Sequence, residues 1–273
     1  MRDLGNVDPD PMVERKNIQA RLEIIMLSGK LAPGERISET QIETFFTNNK
    51  WPKPSLTLLR GALESLTSEG LIILENRRRR IYKFNDSEKL EIVMIRYLLE
   101  KISIKALVQK LSYSTQEEKN SLLYPLSAIL EVMRLEESVD VAKFLIADSN
   151  FHSTIATQAG LTNVAALLRP IHRKIFLGGY SMVTTSDEGE RIINEHGIIL
   201  KHIENCDEEL ATLALGRHII RGGKRWGMNA DESDILGFYP LSSHLASHVV
   251  PKTREEVNKM LRQIITAVDR GIE

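Results

Sequence analysis

Only one stretch of this chain reads as β-structure, and it is short. Residues 71–75 and 80–84 flank Asn76–Arg79, with Ile73, Ile81, Tyr82 and Phe84 suited to two strands and the charged segment suited to the tip between them. A lone hairpin is at best marginally stable in water, so it must pack against helices. Helical periodicity dominates on both sides. Upstream, residues 14–27 place Ile18, Leu22, Ile25 and Met26 on one face before Ser28 and Gly29 stop the helix. After the turn Leu31–Gly34, Ser38 and Gln41 predict a capping box that starts a second helix carrying Ile42, Phe45 and Phe46. Thr47–Asn49 interrupts that pattern, and a proline-bearing loop follows. Ser55 is then placed to cap a third helix, in which Leu59, Ala62, Leu63 and Leu66 face a core and Gly70 closes the end.

Three short helices followed by a hairpin predict a winged helix-turn-helix over residues 13–84, behind an acidic, proline-containing leader at 1–12. Charge supports a polyanionic partner for this part. Residues 13–84 hold thirteen Lys and Arg against eight Asp and Glu, whereas residues 85–273 hold twenty-two against twenty-six. The N-terminus of the third helix offers the hydroxyls of Ser55 and Thr57 with Lys50, Lys53 and Arg60 nearby, a set able to grip phosphates. Arg77, Arg78, Arg79 and Arg80 at the wing tip can lie along a nucleic-acid backbone or enter its minor groove; the competing reading is that they keep an exposed hairpin soluble.

Beyond the polar joint Asn85–Lys89, strand signals disappear. Six helical stretches are expected over 87–112, 115–137, 139–159, 161–182, 187–205 and 207–226, an all-α domain over 85–229. A C-terminal extension, 230–273, contains the amphipathic stretch TREEVNKMLRQIITAV and the pair His244 and His248. Apolar runs are far shorter than the roughly 20 residues that cross a bilayer, so no membrane span is expected. The lone Cys206 cannot form an internal disulfide, which suits a cytoplasmic protein. No phosphate loop or catalytic triad motif occurs, and Gly178–Gly179 and Gly222–Gly223 lack the context of a nucleotide loop.

The chemistry concentrates elsewhere. Asp148 and His152 stand i, i+4 on one helical face, and His196 and His218 fall on the last two helices, which can run antiparallel and bring both inward. Four such groups from three helices can surround one ion; the alternative is a set of structural histidines. One carboxylate with three imidazoles suits a transition metal better than calcium.

These residues also carry a family resemblance. IMLSGKLAPGERISE, ending at Glu39, followed by LLRGALESLTSEGLI over 58–72, resembles the DNA-binding domain of the GntR family. That family normally reads Ser-Arg-Thr-Pro-Val-Arg before the third helix. Here Ser55, Thr57 and Arg60 match, Leu56 replaces the arginine and Leu58 the proline, and the loop 48–54, with Trp51, is longer than the family's. The D-x3-H pair and INEHGIILKHIENCDEELATLALGRHI resemble the FCD ligand-binding domain of the FadR subfamily, in its six-helix, VanR-like form. The resemblance implies a divalent metal, zinc or nickel, on Asp148, His152, His196 and His218. Arg96 and Glu100 match the family's Arg and Glu on the first helix of that domain, where Arg96 can anchor an effector carboxylate; at i, i+4 spacing the two can equally pair with each other. His172 and His202 lie off the pattern and are taken as ordinary residues.

The implied protein is a homodimeric transcriptional regulator, not an enzyme. It would hold a double-stranded DNA operator and, as a repressor, release it on binding a small organic acid. Two other readings stand beside it. One is a metal-dependent enzyme acting on small acids; the other is a regulator working through protein contacts, suggested by Leu56, Leu58 and the lengthened loop.

Overall fold

The computed structural model of the chain describes residues 11–137, 140–179, 186–225 and 227–228, all within the compact unit Met1–Asn229. Residues 1–10 of the leader and the whole extension 230–273, with His244, His248 and the amphipathic stretch, lie outside the described residues. The protein is mainly α-helical. Helix α1 (Pro11–Leu27) begins inside the expected leader, at a proline whose missing N–H costs nothing at a first helical position. It packs with α2 (Glu39–Asn48) and α3 (Leu56–Ser68) around Leu22, Ile25, Ile42, Phe46, Leu59, Leu63 and Leu66, all essentially sealed from solvent.

The caps of the two inner helices differ from expectation in one respect. Ser38 accepts from the Gln41 backbone N–H at 3.2 Å, but the Gln41 amide donates to Glu35 at 2.8 Å instead of reaching back, so the capping box is half formed. Ser55 accepts from the Leu58 N–H at 3.3 Å, as its position predicts. The lengthened loop is tethered. Trp51 meets the Phe46 ring edge-on at 5.4 Å, its backbone N–H donates to the Phe46 carbonyl, and the Arg21 guanidinium lies 5.6 Å from the indole.

The hairpin corrects the expected register. Strands β1 (Ile72–Glu75) and β2 (Arg78–Ile81) pair Glu75 with Arg78 and Ile72 with Ile81. Asn76 and Arg77 both take positive φ, at 50° and 60°, which is the two-residue turn whose twist matches that of the strands. Arg78 to Arg80 therefore belong to the strand and not to the tip. The segment before α2 adds to the sheet: the Ile37 N–H donates to the Arg79 carbonyl and the Ile81 N–H to the Glu35 carbonyl, both at 2.9 Å.

Among the described residues six helices follow: α4 (Asp86–Ser112), α5 (Gln116–Glu136), α6 (Val141–Gln158), α7 (Thr162–Gly179), α8 (Ser186–Glu204) and α9 (Glu208–Arg225). Full capping boxes open two of them, Asn85 with Glu88 at α4 and Thr115 with Glu118 at α5. The long helix α4 is central and touches each of α5 to α9. Helix α7 also faces the winged helix, where Arg173 pairs with Glu69 at 2.6 Å and Glu23 at 3.5 Å. Beside it, the Tyr82 hydroxyl donates to Glu88 at 2.9 Å and the Lys174 ammonium lies 5.1 Å from the Tyr82 ring. None of the helices among the described residues is long and apolar enough to cross a membrane.

Candidate metal centre

The interior of the six-helix bundle is polar where α4, α6, α7, α8 and α9 converge. Arg96, Glu100, Asp148, His152, His172, Glu195, His196 and His218 are all buried. Taking this many ionisable groups from water costs several kcal/mol per ion unless they are paired, and apolar side chains would fill the space without that cost. Such a cluster is therefore a candidate site before any ligand is considered.

One turn of α6 sets Asp148 and His152 side by side, α8 brings His196, and α9 brings His218. One ligand atom from each lies within 4.8 Å of all the others. Each imidazole is oriented from behind. His196 Nδ1 donates to the Ile192 carbonyl at 2.7 Å, and His218 Nδ1 to Glu195 at 2.9 Å. His152 Nδ1 stands 2.7 Å from Glu100 Oε2, but off the line of a good hydrogen bond, so both atoms keep unused capacity. An acceptor opposite each Nδ1 assigns the proton there and leaves the Nε2 lone pairs facing one another.

Those lone pairs are close. His152 Nε2 and His196 Nε2 are 3.0 Å apart, and Asp148 Oδ1 is 3.3 Å from His196 Nε2. Two lone pairs at that separation repel unless a proton or a cation lies between them. Burial pushes the His152 imidazolium down to about 4 and that of His218 well below its ordinary value, so both are neutral, the ligating form, at neutral pH. For Asp148, burial favours the acid, but His196, His152, His218 and Arg96 outweigh it and hold the carboxyl below its ordinary range. The donor set and its orientation fit a metal ion, with Asp148, His152, His196 and His218 as the ligands.

Arg96 and Glu100 belong to the same cluster. Of the two alternatives left open by their spacing, the mutual pair is present: Arg96 Nε donates to Glu100 Oε1 at 2.6 Å, and Arg96 Nη2 also reaches His152 Nε2 at 2.8 Å and His218 Nε2 at 3.2 Å. Burial works against the Glu100 carboxylate, yet Arg96 and His152 together hold its pKa well below the ordinary value.

Two participants escaped the sequence reading. His172, expected to be an ordinary residue, is fully buried, and its Nε2 lies 2.8 Å from Glu100 Oε1. The available signal was its place on the apolar face of α7, in phase with Ala165, Leu168 and Ile175, where an unexplained imidazole needs a partner. Glu195, next to His196 in sequence, orients His218 instead and also takes Arg221 at 2.9 Å.

The residues expected to touch nucleic acid lie on the winged helix. Lys50, Lys53, Ser55, Thr57 and Arg60 are exposed around the N-terminus of α3, with Lys53 paired to Glu43 at 3.1 Å and Arg60 forked onto Glu39 at 2.8 and 3.2 Å. Leu56, at the first position of α3, is 48% exposed. Arg77 and Arg78 are exposed and Arg79 is half-buried. Arg80 is committed to the wing itself: its Nη1 donates to the Gly34 carbonyl at 3.0 Å and its Nε lies 2.8 Å from Glu75.

Comparison with known proteins places this geometry. Residues 91–221 match the FCD domain. Among solved structures, E. coli McbR/YncC aligns with a TM-score of 0.62 at 17% identity, covering 78% of this chain and 96% of that one. A putative transcriptional regulator GntR from Rhodococcus sp. RHA1 aligns with a TM-score of 0.61 at 15% identity, covering 80% and 100%. Lar, which controls expression of the Listeria monocytogenes agr system, aligns at 0.52 and 15%, covering 79% and 97%. No curated protein sequence matches the chain. At these identities the structural likenesses speak for the fold.

Proposed function

The chain carries an FCD domain behind a winged helix-turn-helix, the architecture of GntR-type transcriptional regulators of the FadR kind, and on that premise we propose that it is a metal-containing regulator responsive to a small organic acid. The observation that carries this reading is the buried Asp/His3 group with every Nδ1 backed by an acceptor. Nitrogen-rich ligation of this kind selects zinc or nickel over calcium or magnesium. Bound there, such an ion would supply a Lewis acid for one oxygen of an effector carboxylate. Arg96, a planar fork beside the ligands, anchors that carboxylate.

In the winged helix, the N-terminus of α3 with Lys50, Lys53, Ser55, Thr57 and Arg60 meets operator phosphates and base edges, and Arg77, Arg78 and Arg79 run along the backbone from the wing. The protein acts in the cytoplasm as a homodimer on two half-sites. Effector binding releases the DNA, which makes it a repressor. Coupling has a route through α7, in which His172 touches Glu100 and the next residue, Arg173, holds Glu69 and Glu23 of the winged helix. The enzyme reading is set aside, because the FCD domain and the Rhodococcus structure point to regulators.

The test has two parts. Elemental analysis of the purified chain should find about one divalent ion per chain, lost in His152→Ala and His196→Ala; equal content in all three removes the metal centre. Recovery of genomic fragments by the protein should yield a specific sequence. Recovery of proteins but no specific DNA would favour action through protein contacts, the reading that the exposed Leu56 invites.

A further inference from the structure

The position of Arg96 has a consequence beyond anchoring an acid. Its Nη2 donates to the Nε2 of both His152 and His218, and its Nε is held at 2.6 Å by Glu100. An imidazole nitrogen has a single in-plane lone pair. His218 has already spent its Nδ1 proton on Glu195, and His152 Nδ1 faces Glu100, so Nε2 is the only acceptor either ring has left. The hydrogen bonds from Arg96 and the ligation of a metal therefore use the same two lone pairs and exclude each other.

We infer that Arg96 is an internal competitor for the metal: its guanidinium caps the histidine lone pairs when the site holds no ion and is freed for an anion when they ligate one. This rests on the metal-centre reading above. The released Nη2 is a buried donor with no acceptor, on a cation held close to a second cation. That arrangement is costly unless an anion joins it. A carboxylate satisfies the guanidinium fork and lowers the repulsion between the two positive charges. Metal and carboxylate then bind cooperatively, and by linkage each tightens the other by the same factor. Arg96 thereby makes the site respond to the acid only when it is metal-loaded.

The experiment uses the full chain stripped of metal. Zinc affinity is measured by competition with a chromogenic chelator, in chloride and in acetate as the probe anion, with far-UV circular dichroism as a check on folding. In the wild type, acetate should tighten zinc binding. Arg96→Met should bind zinc in chloride about tenfold or more tightly than the wild type and lose the response to acetate. Arg96→Lys keeps the charge on a side chain one bond shorter and without the fork, so it cannot hold Glu100 and both imidazoles; it too should bind zinc more tightly than the wild type. If Arg96→Met does not fold, Arg96→Lys decides alone. A folded Arg96→Met with unchanged or weaker zinc affinity overturns the inference. So does an Arg96→Lys that binds like the wild type, because charge alone would then account for the effect. A wild type whose zinc binding equals that of His196→Ala removes the metal centre itself, and the competition with it.

Discussion

His172 and Glu100 are joined across the bundle, the His172 Nε2 on α7 lying 2.8 Å from Glu100 Oε1 on α4. Through its other oxygen Glu100 faces His152, so one carboxylate ties a ligand of the candidate metal centre to α7. Helix α7 in turn carries Arg173, the residue paired to the winged helix. Neutral His172 is the form that burial favours first and the nearby Arg96 charge second.

Replacing His172 should weaken the metal centre without removing a ligand. His172→Ala frees Glu100 Oε1 and loosens the carboxylate that orients His152. Metal affinity is expected to fall roughly 10- to 100-fold, the usual effect of losing such an outer partner. Chelator competition checks this. Full retention of affinity would show that Arg96 alone holds Glu100 in place.

Removing the arginine between the two parts should act on coupling more than on stability. The Arg173 and Glu69 side chains are each about one-third exposed, at 35% and 31%, and pairs of that kind contribute about 0–1 kcal/mol. Arg173→Ala should therefore keep its melting temperature within a few degrees and keep its DNA affinity, while the acid no longer changes that affinity. Fluorescence anisotropy with labelled operator, with and without effector, measures both quantities. An undiminished acid response would exclude Arg173 from the route.

Metal-free protein should lose stability on mild acidification. His152 has a folded pKa of about 4 against an ordinary 6.5, so between those values the unfolded state binds more protons than the folded state. Its contribution is thus fully present above pH 6.5 and is lost progressively as the pH falls towards 4. Below that, Asp148 adds to the loss, since its depressed folded pKa makes protonation favour the unfolded chain. Urea midpoints measured between pH 7 and pH 4 should fall steadily. A flat profile through this window would contradict a neutral, buried His152.

The wing arginines should separate into two behaviours. Alanine at Arg77, Arg78 and Arg79 should weaken binding to all sequences alike and reduce the salt slope by about one for each phosphate contact removed. Alanine at Arg80 should instead loosen the wing, because Arg80 bonds the Gly34 carbonyl and faces Glu75. Gel shifts over a salt series, beside thermal melts of each variant, distinguish the two. A triple variant with an unchanged salt slope would assign those arginines to solubility.

Much of the architecture was legible because local rules govern it. The cap at Ser55, the break at Gly70 and the helical phase of Leu59, Leu63 and Leu66 depend on residues within a few positions of one another. Where an expectation failed, a competing interaction close by in the chain had won. Glu35 drew the Gln41 amide away from Ser38, and the two left-handed residues Asn76 and Arg77 closed the hairpin before the charged run had ended.

By itself, the sequence determined the order of elements, the helical faces and the candidate ligands, Asp148, His152, His196 and His218, at spacings that antiparallel helices can bring together. It could not say what stands behind those ligands. That Glu100 backs His152, Glu195 backs His218, His172 holds Glu100 and Arg96 rests on two imidazole lone pairs was decided by tertiary packing. Such contacts join residues as many as 122 positions apart, as in the pair Arg96 and His218. The reason is physical. Helix formation is encoded over a few residues, whereas a buried polar group takes whichever donor or acceptor the folded core brings within reach.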